Sequence, residues 1–310
     1  MELIKPGTTI QFTRYRKIAI ILSSAVNIAV LAFLFIKGPN LGVDFAGGTM
    51  VQLKFQQRVA IPDIRAVLDK AGLTGAVIQD FGEAAANEYL VRLEKISVEL
   101  GALAEQIKKG LTAGFGAGKF EVRRIESVGP KVGEDLRFRG AMSVIAATVM
   151  MGVYIWARFA SAFGARIGLS FGLGAVIALA HDVLITIGAL LVANYEFDLT
   201  IVAALLTVVG YSVNDTVIVC DRIRENMRKV KRESMESIIN MSINETLSRT
   251  IITVSTAIMV LVALYLLGGA VIRPFAFALL VGFFSGVYST IYIASPVILF
   301  WDKGVASRNK

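Results

Sequence analysis

The amino-acid sequence predicts a polytopic α-helical membrane protein, with six spanning helices and one α+β domain of ferredoxin-like order inserted between the first and second. Three observations predict it. Of 310 residues, 55% are apolar, only 18% are charged and the mean hydropathy is +0.66, which excludes an ordinary soluble domain. The apolar residues gather in six runs of about 19 or more, the length a helix needs to cross roughly 30 Å of hydrocarbon at 1.5 Å per residue. The one long stretch without such a run carries alternating strand and helix patterns.

The first run, Ile18 to Ile36, is longer than a signal-peptide core. Lys37-Gly38-Pro39-Asn40 stand where a small-residue cleavage site would be, so it is read as a retained anchor. The other spans are expected at Gly140 to Phe159, Gly168 to Val192, Leu199 to Cys220, Ile251 to Leu267 and Phe275 to Trp301. The net charge of +8 raises the question of nucleic acid, but the basic residues sit where the positive-inside rule puts them, and no nucleic-acid partner is expected. Arg14, Arg16 and Lys17 precede the first span, and Arg158 and Arg166 flank the turn after the second. Arg222, Arg224, Arg228, Lys229, Lys231 and Arg232 follow the fourth, and Lys303, Arg308 and Lys310 end the sequence. The connection Asn194 to Asp198 has no Lys or Arg, and the one between the fifth and sixth spans has only Arg273. Both termini are therefore expected in the cytoplasm. Residues 1–36 form the N-terminus and first span, 37–139 a periplasmic domain, and 140–310 the remaining spans, with a cytoplasmic amphipathic linker at 221–250. The single cysteine, Cys220, has no internal disulfide partner and is silent on redox compartment.

Within 37–139, Val51, Leu53 and Phe55 alternate with polar residues, as do Tyr89, Val91 and Leu93, the period-two pattern of half-buried strands. Ile64, Val67, Leu68 and Ala71 follow helical spacing, with Pro62 in the first turn and Gly72 past the end. A second helix is expected with Ser97 as cap and Glu99 at its positive end. Leu100, Leu103, Ala104 and Ile107 form its stripe, and Lys108, Lys109 and Gly110 close it. Weaker strands at Ala76 to Phe81 and Phe120 to Ile125 complete the order βαββαβ. With no His and no Cys, this domain offers no metal or nucleophile constellation.

Ionisable residues inside the spans carry the functional signal, because a charge at a helix centre costs about 2.5 to 3.5 kcal/mol on insertion scales. The fourth span contains Gly210-Tyr211-Ser212-Val213-Asn214-Asp215-Thr216, with Asp215 as its ionisable member. Arg249, entering the fifth span from the same side, is the partner expected for it: a proton arriving at the carboxylate would release such a pair. Snorkelling of Arg249 to the headgroups is the other reading. His181 and Asp182 lie mid-span in the third run and, with Asn214, are candidates for a relay or for structural support; neighbours about 100° apart on a helix need not touch. Gly168 and Gly172, and Gly282 and Gly286, have the spacing of close-packing helix faces. In the linker, Ile223, Met227 and Val230, then Ile238, Ile239 and Ile243, suggest a helix lying along anionic lipid.

Three motifs stand in order along the sequence: Leu41 to Thr49 (LGVDFAGGT), Gly210 to Thr216 continuing to Asp221-Arg222-Ile223-Arg224-Glu225, and Asn244 to Thr250 (NETLSRT). With Val128-Gly129-Pro130 and His181-Asp182, they resemble the SecD/SecF family of protein-export membrane proteins, in the RND superfamily, from Gly42 to Pro296. Phe45 resembles the SecF branch; the SecD branch usually reads LDLxGG there. The resemblance implies an RND-type half bundle, with Asp44, Gly47 and Gly48 in the family's signature turn and Asp215 and Arg249 in a proton pathway. It implies pairing with SecD, which would supply six further spans and a second essential carboxylate. It also implies work beside the SecYEG channel in the cell inner membrane, often with YajC and YidC, drawing preproteins outward on the proton-motive force. No cofactor is implied beyond the proton gradient, and no enzyme activity: no Walker-like glycine loop is present. The rival readings are a small-molecule or lipid exporter of the same superfamily and a non-transporting scaffold.

Overall fold

The structure, a computed structural model, describes residues 9–82, 86–93, 100–230 and 233–300. A short turn, Phe12–Tyr15, leads into α1, Arg16–Lys37, which carries the first apolar run. A four-residue helix, α2 (Val43–Ala46), then turns the chain into β1, Gly48–Phe55. The sheet domain continues through α3 (Ile61–Lys70), β2 (Val77–Phe81), β3 (Glu88–Leu93), α4 (Leu100–Phe115) and β4 (Phe120–Val128). Strand order is β2-β3-β1-β4 with every adjacent pair antiparallel. This is what βαββαβ gives when each helix crosses over one intervening strand, so the domain is ferredoxin-like as expected.

The alternating residues of β1 and β3 do what their period requires. Val51, Leu53, Phe55, Tyr89, Val91 and Leu93 face a dry core with Ile64 and Leu68 of α3 and Leu103, Ile107 and Leu111 of α4. The expected cap Ser97 and the neighbouring Glu99 lie outside the described residues. The helix does not close at Gly110. A Cβ there would stand 2.5 Å from Ala71 Cβ, and one at Gly114 would stand 2.4 Å from Val67 Cγ2. These glycines let α4 lie against α3 rather than ending it.

β4 passes through Gly129 directly into α5, Pro130–Phe163. Then follow α6 (Ala165–Val192), α7 (Leu199–Lys229), α8 (Met235–Leu267) and α9 (Gly269–Ser289), which passes through a wide π turn at Thr290–Ala294 and on to Phe300. With α1, six helices among the described residues are long and apolar enough to cross a membrane. Several exceed their apolar runs: α5 starts at Pro130 rather than Gly140, α7 continues to Lys229 and α8 starts at Met235 rather than Ile251. Hydropathy marks only the apolar stretch, whereas good helix formers such as Arg, Glu and Lys carry the backbone ladder past it. Trp301, the expected end of the last span, lies outside the described residues.

The reading of 221–250 as a separate helix on the lipid surface needs correction. The stretch forms the paired ends of α7 and α8. Ile223, Ile238, Ile239 and Ile243 look like a lipid-facing stripe in sequence, but they are buried against one another in the bundle core. Asn226 Nδ2 crosses the pair, donating to Ser242 Oγ at 3.0 Å and Glu245 Oε2 at 2.7 Å. Lys231 and Arg232 lie outside the described residues. The N-terminal turn packs here too: Asn240 and Asn244 donate to the Ile10 carbonyl, and Arg16 pairs with Glu236.

Both glycine spacings mark helix contacts. A Cβ at Gly168 would be 2.5 Å from the Ala160 backbone, which seats α6 on α5. One at Gly282 would be 2.2 Å from Val208 Cγ2, and one at Gly286 3.1 Å from Ser212 Cβ, which seats α9 on α7. That second contact falls at the polar stretch of α7.

Candidate functional site

Asp215 lies on α7 near the contact with α8 and α9, and is only 3% exposed. Its Oδ2 is buried without a hydrogen-bond partner. The polar neighbour reaching it from α8 is Thr250, one residue past the expected partner. Arg249 itself is exposed, and among the described residues no ion pair joins it to Asp215. The helix explains the exchange: successive side chains diverge by about 100°, so when Thr250 faces α7, Arg249 is turned outward. Asn214 is likewise exposed, on the outer face of α7.

The other carboxylate of the spans is the more elaborately held. Asp182 on α6 is fully buried and accepts hydrogen bonds from three serines on two neighbouring helices. Ser212 of α7 and Ser289 of α9 donate to Oδ2 at 2.6 and 2.7 Å, while Ser285 of α9 and His181 Nδ1 approach Oδ1 at 2.6 and 3.1 Å. The adjacent pair His181 and Asp182 therefore do touch. His181 also lines a cavity of about 450 Å³ between α1, α6 and α9, with Ser23 and Tyr288 hydrogen-bonded to each other at 2.9 Å on its wall. From Ser212 the polar run continues to Thr216, which meets Thr290 in the π turn at 3.0 Å. The Asp182 carboxylate thus ties α6 to α7 and α9, and its partner Ser212 stands one turn before Asp215 on α7.

The signature turn forms a joint between the sheet domain and the bundle. Gly47 and Gly48 have φ of +73° and +112°, where a Cβ is strained. A Cβ on Gly47 would also stand 2.8 Å from Pro130 Cα, and one on Gly48 2.8 Å from the Leu93 carbonyl oxygen. Asp44 Oδ2 accepts the Leu199 amide at 3.1 Å, so the turn caps the first residue of α7, the helix that carries Asp215. Asp198 caps the same helix, accepting from the Ile201 amide at 2.9 Å. Burial lifts the Asp198 carboxyl above its ordinary value, and the nearby Asp44 charge adds to the rise.

The short connection between α6 and α7 straps the two parts together. Phe197 pairs by backbone with Asn40 and Gly42, at 2.7 and 2.8 Å. Glu196 Oε1 accepts from Arg92 at 2.6 Å and from Gln79 Nε2 at 2.7 Å, both on the sheet. Sequence alone did not single out Glu196, Arg92, Ser285 or Ser289, and gave Tyr211 no role of its own within the polar stretch. Among the described residues no group of three His, Cys, Asp or Glu side chains has the arrangement of a metal site.

Six helices able to span a membrane, a ferredoxin-like domain strapped to one end and buried carboxylates between the helices define a polytopic membrane protein. Comparison with known proteins narrows the class. The family described as "Protein export membrane protein SecD/SecF, C-terminal" matches residues 107–304, and the "SecD/SecF GG Motif" matches residues 32–58. A "Protein translocase subunit SecF" from Desulfurispirillum indicum is 44% identical over 298 residues, covering 94% of this chain and 91% of that protein. One from Vibrio alginolyticus is 42% identical, covering 96% and 91%. The crystal structure of SecDF from Thermus thermophilus, described as a translocon-associated membrane protein, superimposes with a TM-score of 0.82 at 34% identity, covering 96% of this chain. The chain spans 39% of the length of that SecDF chain. This chain belongs to the SecD/SecF family of protein-export membrane proteins, in its SecF branch.

Proposed function

We propose that this translocase subunit works with SecD, using the proton-motive force to promote preprotein translocation across the inner membrane. The observation that carries the reading is Asp215, a carboxylate buried within a spanning helix with one oxygen lacking a partner. Such a group is kept inside a membrane for a reason, because it costs free energy to place there. A proton crossing 100 mV releases about 2.3 kcal/mol. That changes a two-state ratio by roughly fiftyfold, enough to bias one helix arrangement over another without nucleotide hydrolysis.

The surface of α7 supports a second membrane chain as partner. Ala203, Thr207, Gly210 and Asn214 are exposed along one face of this spanning helix, small and polar residues suited to another helix rather than to lipid. The exposed Arg249 on α8 needs similar cover, and a SecD-like chain with its own carboxylate would supply it. The likeness to SecDF chains, where this chain matches about two fifths of the length, supports that pairing. In this reading both termini are cytoplasmic and the sheet domain is periplasmic, beside the SecYEG channel with YajC and YidC, facing the emerging preprotein. The gradient is the only energy source and no cofactor is used.

The test is to replace Asp215 with Asn and, separately, Arg249 with Met, then follow secreted-protein maturation in cells and proton flux in vesicles. Both variants are expected to accumulate normally in the membrane while export loses its dependence on the gradient. Normal export and flux by a stable Asp215→Asn protein would overturn proton coupling and leave the scaffold reading standing.

A further inference from the structure

We propose that Tyr211 and Asp215 hold a single water molecule between them, and that Tyr211 positions this water to deliver the proton to the carboxylate. Two buried polar atoms on α7 lack partners, Tyr211 Oη and Asp215 Oδ2. They belong to residues four apart, whose side chains share a helix face with Cβ atoms about 6 Å apart. The Asp215 charge acts on the Tyr211 hydroxyl, yet no direct hydrogen bond joins them. Well over nine-tenths of buried polar groups in folded proteins are satisfied, so two orphans on one helix face, a donor and an acceptor, suit one bridging water. Thr250 of α8 is the polar neighbour of the Asp215 carboxyl itself.

The ring of Tyr211 is fixed for this task. It stacks on Phe283 of α9 with centroids 3.7 Å apart and planes at 7°. The hydroxyl is thus aimed by an apolar contact and has no other partner to satisfy it. Few charges compete. Arg249 on α8 faces outward, and the Asp182–His181 pair on α6 is occupied with Ser212, Ser285 and Ser289. α5 carries no Asp, Glu, His, Lys or Arg between Arg139 and Arg158, and Tyr154 there is exposed. On the proposed function, which this inference rests on, a hydrated proton reaching the site gives its proton to Oδ2, leaving a carboxylic acid and a neutral water still bound to Tyr211. Tyr211 is a positioning residue in this step and neither gains nor loses a proton.

Tyr211→Phe removes one oxygen and keeps the ring on Phe283. Carbodiimide labels protonated carboxyl groups in apolar surroundings, so Asp215 labelling can be followed by mass spectrometry across pH in native membranes containing the full chain, with Asp215→Asn as the blank. Loss of the bridging hydroxyl is expected to change the labelling rate at neutral pH by about tenfold and to displace the pH profile of export. Superimposable labelling curves for wild type and Tyr211→Phe would overturn the proposal. If Tyr211→Phe fails to accumulate, high-resolution maps of the wild type decide: density about 3 Å from both Oη and Oδ2 supports it, and its absence refutes it. Should Asp215→Asn export normally, the coupling reading fails, while labelling and density still report on the water.

Discussion

Gly47 and Gly210 are both glycines in family motifs, and they should respond oppositely to an added methyl group. Gly47→Ala places a Cβ at a strained φ and against Pro130, so a loss of about 1 to 3 kcal/mol is expected, read as a lower thermal midpoint of the purified protein. Gly210 has no atom within 4 Å of its would-be Cβ and sits in a helix, so Gly210→Ala should be neutral or gain about 0.5 to 1 kcal/mol in the isolated chain. Asp182→Ala would strip three serine hydroxyls of their acceptor at once; a loss of about 1 to 3 kcal/mol per stranded group is expected, with Asp182→Asn milder. Asp198 gives a pH dependence. Its carboxyl is raised by folding, so its contribution to stability is complete below the unfolded value of 3.8 and is lost as the pH climbs through the raised value. Asp198→Asn keeps the cap on Ile201 and should abolish that dependence, measurable as amide exchange at the start of α7. Sequence could find Asp215 and Asp182 because charge within an apolar run stands out. It could not find Ser285 and Ser289, because a serine in a span commonly bonds its own helix and nothing in the pattern shows which ones reach across.

At the scale of elements, the α6–α7 strap is the feature least visible beforehand. Glu196 and Arg92 read in sequence as unremarkable surface charges a hundred residues apart, and only the folded register of β3 brings them together at 2.6 Å. Because both side chains are largely buried, the pair should show a coupling of about 1 to 3 kcal/mol in a double-mutant cycle of Arg92→Ala and Glu196→Ala. Measured by hydrogen exchange, those variants should loosen the docking of the sheet domain while its own core and the spans stay protected. The helix and strand patterns themselves were legible, since periodicity depends on neighbours in the chain. Helix ends were not, because the polar ends of α5, α7 and α8 are held by packing that sequence does not display. The apolar stripe at 223–243 shows the same limit: its spacing is right for a helix but is silent on whether lipid or another helix covers it.

For the molecule as a whole, apolar exposure describes its surroundings. Ile18, Ile21 and Ile28 on α1, Met150 on α5 and Met259, Val260 and Leu266 on α8 are all more than half exposed, a pattern suited to hydrocarbon. Against this, the exposed Ala203, Thr207, Gly210 and Asn214 face of α7 carries only small and polar side chains. Gly210→Leu should therefore leave the isolated chain folded but reduce the SecD-like chain recovered with it from mild detergent. Undiminished recovery would place the partner elsewhere.

The sheet domain is suspended from two neighbouring strands of one ladder: β1 leaves the signature turn after α1, and β4 runs through Gly129 into α5. A door hung at two points swings about a single line. Glu196 fastens β2 and β3 at a third point, so its removal is expected to leave the domain held along that line alone.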